Sequence, residues 1–230
     1  MDEIVDKEVG KGAARRFELI VFDWDGTLLD SAAAIVRAIQ AASADLGVPV
    51  PSDARARHVI GLGLSDALRH AVPDLPAEAY PQMVERYRHH YLSSDHELTL
   101  FGGTLELIAE LHGRGHLLAV ATGKSRSGLD RSLGFSGLRR YFHATRCADE
   151  CFSKPHPAML LELMDELGVM AESCLMIGDT THDLLMAKNA GVAGLGVSFG
   201  AHPAEQLQAE APLACVHSPQ ELRVWLKENA

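Results

Sequence analysis

Phe17-Glu-Leu19-Ile-Val-Phe22-Asp23-Trp24-Asp25-Gly26-Thr27-Leu28-Leu29-Asp30 is an apolar run that stops on two carboxylates one residue apart. Leu19 to Phe22 is short and partly β-branched and aromatic, the pattern of a strand buried on both faces. In open α/β sheets ligands bind at the carboxyl edge of the strands, so this run delivers Asp23 and Asp25 to such an edge. Their side chains point to the same side of an extended segment. Two carboxylates that close repel one another, and a cation or a division of labour between acid and nucleophile would relieve them. Asp25-Gly26 also suits a hairpin turn. The next residues, Ser31-Ala-Ala-Ala-Ile35-Val36-Arg-Ala-Ile39-Gln40, have helical and not alternating periodicity. The stretch therefore reads as strand, acidic loop, helix.

Working outward, Ile35, Ile39 and Leu46 recur at helical spacing until Gly47-Val-Pro-Val-Pro51 stops the helix. Ser52-Asp-Ala-Arg55 is expected to cap a short helix, and Val59-Ile-Gly61-Leu62-Gly63-Leu64-Ser65-Asp66 reads as a glycine loop carrying a second cap. Helices are predicted over 68–71 and 77–92, and nothing between Asp30 and Glu97 resembles a strand. From Leu98 the character changes. Thr104–Arg114 is predicted helical with Leu105, Ile108 and Leu111 inward. His116–Thr122 reads as a second strand, followed by a helix to Leu133. Phe142–Thr145 reads as a third strand, 158–167 as a helix opened by Lys154-Pro-His-Pro, and Ser173–Asp179 as a fourth strand. A helix over 183–190 with Gly191 at its C-terminus, a strand over 192–197, a helix over 204–208, a strand over 213–216 and a helix over 220–227 complete the pattern. Strands alternating with helices predict a parallel sheet with right-handed crossovers. The expected organisation is a loose tail over 1–16, an α/β core from 17–30 and 99–230, and a helical insert over 31–98.

Composition narrows the function classes. A formal net charge of -10 argues against binding nucleic acid through its phosphate backbone. No apolar segment approaches the ~20 residues of a membrane span, and residues 1–16 lack the apolar stretch of a secretory signal. Cys147, Cys151, Cys174 and Cys215 form no disulfide framework or zinc spacing, and a reducing cytoplasm is the expectation. Cys147 and Cys151, four apart, could share a helical face, and are read as ordinary small apolar residues.

Three strands end in polar residues: Asp23 and Asp25; Thr122-Gly123; and Gly178-Asp179 with Asp183 beyond. In a parallel sheet these ends share one edge, and Lys154 precedes a helix that could bring it there. Acids alone suit a hard divalent cation. A hydroxyl, backbone N–H groups at a helix start and a lysine suit a phosphate. An acid, a cation and an anion pocket together point to phosphoryl transfer. Singly each signal is weak, since Asp30, Asp179 or Asp183 could be a helix cap and Lys154 a solvated charge.

In that order, Asp23-Trp24-Asp25-Gly26-Thr27-Leu28, Ala121-Thr122-Gly123, Lys154-Pro155 and Gly178-Asp179-x-x-x-Asp183 resemble the four motifs of the haloacid dehalogenase superfamily. The helical insert resembles its small α-helical cap, and the nearest group in appearance is the phosphoglycolate phosphatase-like hydrolases. The resemblance implies a Rossmann-like parallel core with an inserted cap. It also implies Mg²⁺-dependent hydrolysis of a small phosphate monoester, phosphoglycolate-like or a sugar phosphate, by a monomer or homodimer. It implies Asp23 as nucleophile and Asp25 as proton carrier, with phosphate contacts from Trp24, Thr122, Gly123 and Lys154. Mg²⁺ would be held by Asp23, the Asp25 backbone carbonyl and Asp179, with Asp183 a ligand through water or a supporting partner. Gly61, Leu62 and Gly63 resemble the loop such caps insert into the site, while Arg55, Arg57 and His58 read as a solvated helix face in preference to a second anion site. The expected hinges are 28–31 and 98–103. A nucleotidase or phosphomutase is the alternative within the superfamily, the mutase disfavoured because 32–36 carries no histidine. A non-catalytic Mg²⁺-binding relative is the alternative outside enzymes. No histidine is assigned a metal.

Overall fold

The computed structural model describes residues 16–230, so all but the last residue of the expected tail lies outside the described residues. Six strands, β1 (Leu19–Phe22), β2 (Leu117–Thr122), β3 (Ala144–Cys147), β4 (Cys174–Gly178), β5 (Ala193–Val197) and β6 (Cys215–Val216), form one parallel sheet in the order β3-β2-β1-β4-β5-β6. The helices are α1 (Ala32–Asp45), α2 (Asp53–His58), α3 (Leu64–Ala71), α4 (Tyr80–Ser94), α5 (Thr104–Gly113), α6 (Arg126–Ser136), α7 (Ala158–Leu167), α8 (Thr181–Asn189), α9 (Ala204–Ala209) and α10 (Pro219–Asn229). No helix among the described residues is long and apolar enough to cross a membrane.

Alternation along the strands builds the layers. Ile20, Phe22, Leu118, Val120, Leu175 and Ile177 face a core completed by α5, α6 and α10. Leu19, Val21, Ala119, Ala121, Cys174 and Met176 face the other way, onto α7 and α8. Helices on both faces explain why these strands are apolar throughout. The helices of 32–94 carry a separate apolar cluster, with Ile39, Ala42, Leu68 and Met83 at its centre. Two chain crossings join them to the sheet, and these lie side by side: Asp30 N–H donates to Thr99 O at 3.0 Å and Phe101 N–H to Leu28 O at 3.0 Å.

Several local expectations change. Leu105 is not inward but exposed; Thr104, Leu107, Ile108 and Leu111 form the buried face of α5, because the buried threonine sets the phase of the first turn. The third strand begins at Ala144, while Phe142 turns its ring edge-on to Phe22 and Trp24 in the core. Ser52 caps α2 through Arg55 N–H as expected, but α3 starts on Gly63 with no side-chain cap. Cys147 ends β3 and Cys151 lies in the loop beyond, so they share no helix. All four cysteines are free.

Candidate active site

β1 is the central strand, flanked by β2 and β4, and all three run the same way. Their carboxyl ends therefore place Asp23, Thr122 and Asp179 side by side, at the point where the strand order reverses. Lys154 reaches the group from the loop before α7. Its Nζ lies 2.7 Å from Asp23 Oδ1 and 2.7 Å from Asp183 Oδ1, with both partners buried. Asp183 is also the third residue of a capping box: Thr180 N–H and Oγ1–H donate to its Oδ2 at 3.0 and 2.7 Å. Thr180, not Asp183, is therefore the N-cap of α8, and Asp183 supports it from the third position while also contacting Lys154. Asp179 is fixed by Thr27 Oγ1–H at 2.8 Å and by Ala201 N–H at 2.7 Å. Gly26 and Gly200 lie so close to Asp179 that a Cβ at either would strike its carboxylate, and Gly26 has φ +83°.

The charge balance of this cluster is unusual. Asp23, Asp179 and Asp183 bring carboxylate oxygens within 4.8 Å of one another, all buried. One lysine offsets three acids. Burial pushes the Asp23 carboxyl well above its ordinary value, Lys154 opposes this, and Asp183 and Asp179 push it further up. Asp179 is raised to about 7 by burial and then by Asp183, against the pull of the Ala201 and Thr27 hydrogen bonds. Burial lowers the Lys154 ammonium pKa, but Asp183 and Asp23 more than reverse it. Apart from the Lys154 contact, neither oxygen of Asp23 has a well-directed donor among the described residues. Buried carboxylate oxygens without donors, in an all-oxygen set, fit a hard divalent cation.

Asp25 stands apart from that cluster. Its Oδ1 accepts Ser31 Oγ–H at 2.6 Å and lies 3.0 Å from Lys124 Nζ. Lys124 also donates to Tyr91 Oη of α4 at 2.9 Å. Burial opposes the charge on Lys124, yet Asp25 and then Tyr91 hold its pKa above the ordinary lysine value. Sequence reasoning used Lys124 only as a residue that breaks a strand. The signal was available: a lysine two residues past Thr122, on the edge that carries the acids. Thr27 falls within the first motif without a role of its own there, and nothing in the spacing of Ser31 and Thr180 marks them.

Thr122 is buried and its Oγ1 accepts Lys124 N–H at 3.2 Å, which leaves its hydroxyl hydrogen available to an anion. Trp24 is not brought to the cluster by its side chain: the indole is buried in the core and donates to Ser132 Oγ at 2.8 Å. Only its backbone could meet a phosphate. The loop 61–63 covers the acids. A Cβ on Gly123 would strike the carbonyls of Gly61 and Leu62, and Gly63 N–H donates to Ser153 Oγ at 2.8 Å. Asp23, Asp25, Thr122, Gly123 and Gly61–Gly63 line one cavity of about 670 Å³ between the sheet edge and the helices above it. Arg55 and Arg57 do not line it. The His58 carbonyl instead accepts from His182 Nε2 at 2.8 Å and His202 Nε2 at 3.2 Å, pinning α2 to the start of α8.

Comparison with known proteins gives the same family from several directions. Residues 20–197 match the family model described as haloacid dehalogenase-like hydrolase. The chain is 40% identical over 211 residues to a probable phosphatase IndB of Dickeya dadantii (strain 3937), covering 89% of this chain and 91% of that one. It is 37% identical to a 5'-nucleotidase of Pseudomonas aeruginosa, covering 88% and 92%. It is 33% identical to a phosphoglycolate phosphatase of Vibrio parahaemolyticus, covering 89% and 94%.

Proposed function

The chain belongs to the haloacid dehalogenase-like hydrolase family, and from that membership we propose that it is a phosphatase. It hydrolyses a small phosphate monoester through an aspartyl-phosphate on Asp23, with Mg²⁺ as cofactor. The observation that carries this reading is the buried trio Asp23, Asp179 and Asp183 with Lys154 bridging two of its members.

Asp23, the Asp25 backbone carbonyl and Asp179 would hold Mg²⁺, with Asp183 in support. When bound, the ion supplies positive charge that lets a carboxylate approach a phosphate dianion. Lys154 offsets the remaining repulsion and fixes the Asp23 carboxylate in direction. The Thr122 hydroxyl and the Gly123 backbone orient the phosphoryl oxygens. As the Asp23 oxygen bonds to phosphorus, the ester oxygen leaves and takes a proton from Asp25. Asp25 then removes a proton from the water that attacks the acylphosphate. Lys124 and Ser31 fix one oxygen of Asp25, leaving the other to move that proton. Because Lys124 also holds Tyr91, the proton carrier is tied to the helical layer that covers it. The 31–98 unit acts as the cap, turning on the paired crossings near 28–31 and 98–103 and excluding water while Asp23 is attacked.

A cytoplasmic location belongs to the same reading, in accord with four free cysteines, as does a monomer or homodimer. The names of the relatives agree on phosphate esters and divide between nucleotide and phosphoglycolate as substrate. Hydrolysis of 4-nitrophenyl phosphate with and without Mg²⁺ tests the proposal. Activity lost in EDTA and in Asp23→Asn is expected; wild-type activity no greater than that of Asp23→Asn sinks it.

A further inference from the structure

The cavity over the acids is far larger than a phosphoryl group and a two-carbon acid require. Its volume, about 670 Å³, lies in the range that encloses drug-sized ligands. Part of its lining is apolar and aromatic: Ile35 and Ile39 from α1, Val84 and Tyr87 from α4, and Leu62 from the covering loop. The Tyr87 and Tyr91 rings stack at 5.8 Å and 15°, and both line the cavity.

The charges around it are as telling. Among the described residues three cations line the cavity. Lys124 is engaged by Asp25 and Tyr91, and Arg131 by Asp95 at 3.0 Å. The third, Arg88, is exposed to solvent. Asp66 and Asp149 add negative charge to the lining. A leaving group with its own carboxylate would thus meet an apolar wall and acids, with no uncommitted buried cation, and stripping a carboxylate of water without a partner is costly. An uncharged alcohol with a planar ring would fill the space and lay its face on Tyr87.

We infer that the substrate of this site is a nucleoside 5′-monophosphate, selected by the α1–α4 wall with Tyr87 as the specificity-determining residue, and not a carboxylate-bearing ester such as phosphoglycolate. The inference rests on the phosphatase reading above. Initial rates with Mg²⁺ on uridine 5′-monophosphate, ribose 5-phosphate, phosphoglycolate and 4-nitrophenyl phosphate test it. The nucleotide should exceed phosphoglycolate by about 100-fold in kcat/KM. Tyr87→Ala should lower kcat/KM about tenfold for the nucleotide and less than about threefold for ribose 5-phosphate, which lacks the ring. Ribose 5-phosphate also reports folding, since a misfolded variant loses both substrates together; in that event Tyr87→Leu, which keeps the apolar bulk but not the aromatic face, replaces it. Phosphoglycolate turned over as well as the nucleotide, ribose 5-phosphate turned over as well as the nucleotide, or equal loss on both substrates in a folded Tyr87 variant overturns the inference alone. No hydrolysis of any of the four compounds overturns the phosphatase reading and the inference with it.

Discussion

Asp179→Asn should change the sign of its effect on stability between acid and alkaline pH. In the metal-free protein the Asp179 carboxyl is raised from an ordinary 3.8 to about 7 by burial and by Asp183. The folded chain therefore holds a proton between these values that the unfolded chain releases. Stability from this group is complete below pH 4 and is lost as pH rises through 7. The separation of about 3 pKa units corresponds to about 4 kcal/mol, which asparagine, being unable to ionise, does not lose. Against this, asparagine offers one acceptor where the carboxylate serves two donors, Thr27 Oγ1–H and Ala201 N–H. An orphaned buried donor costs about 1–3 kcal/mol. In EDTA, Asp179→Asn should be about 1–2 kcal/mol less stable than wild type at pH 4, nearly equal to it at pH 5, and about 1–3 kcal/mol more stable at pH 8.5. For a chain of this length each kcal/mol moves the thermal midpoint by about 2–4 °C. Melts followed by circular dichroism at pH 4 and pH 8.5 would show the crossing. Mg²⁺ should then raise the wild-type midpoint at pH 8.5 and leave the variant's unchanged. Equal destabilisation of the variant at both pH values would refute the idea that burial and Asp183 hold the Asp179 carboxyl well above its ordinary value in the metal-free protein.

Other contacts lead to three more expected outcomes. Lys124→Met and Tyr91→Phe should lower kcat/KM, which reports the step that expels the leaving group, more than about tenfold on an alkyl phosphate, whose leaving oxygen needs a proton, and under about threefold on 4-nitrophenyl phosphate, whose leaving oxygen does not; a loss of kcat/KM equal on both would remove Lys124 from the positioning of Asp25 as the acid. Lys154→Met strands Asp23 and Asp183 in the interior, so it should cost about 3–5 kcal/mol in urea titrations with EDTA, and Mg²⁺ should restore part of that loss. Gly123→Ala would set a methyl against the Gly61 and Leu62 carbonyls, and should lower kcat/KM by about 10- to 100-fold while the thermal midpoint stays within a few degrees of wild type.

How much of the fold and the site was legible in the sequence depended on what each residue answers to. The strands were legible, because a buried parallel strand must be apolar on both faces: Leu19–Phe22 carries that requirement in its composition and is β1 without adjustment. Helix phase was less so. In α5 the run Leu105, Leu107, Ile108, Leu111 allows two faces, and the choice fell to Thr104, a small polar residue that packs inward. The acids and Lys154 could be read because strand ends on one edge must converge. Lys124 could be placed on the acid-bearing edge by its nearness to Thr122, but its tie to the helical layer could not, since that depends on Tyr91, 33 positions earlier and on another apolar cluster. Trp24 showed the converse: its place between two acids put it in the motif, while its ring answered to the core. The cations Arg55 and Arg57 lie close in sequence to the 61–63 loop, yet α2 turns them away from the cavity.

Covalent phosphorylation of Asp23 is the step on which the proposed chemistry stands. Acid-quenching the enzyme in the steady state with Mg²⁺ and a rapidly turned-over phosphate ester, then mapping the peptides by mass spectrometry, tests it at the residue itself. One added phosphoryl group is predicted on the peptide containing Asp23, sensitive to hydroxylamine as an acylphosphate is, and absent from Asp23→Asn. A phosphoryl group on a different residue, or turnover by Asp23→Asn at the wild-type rate, would contradict it.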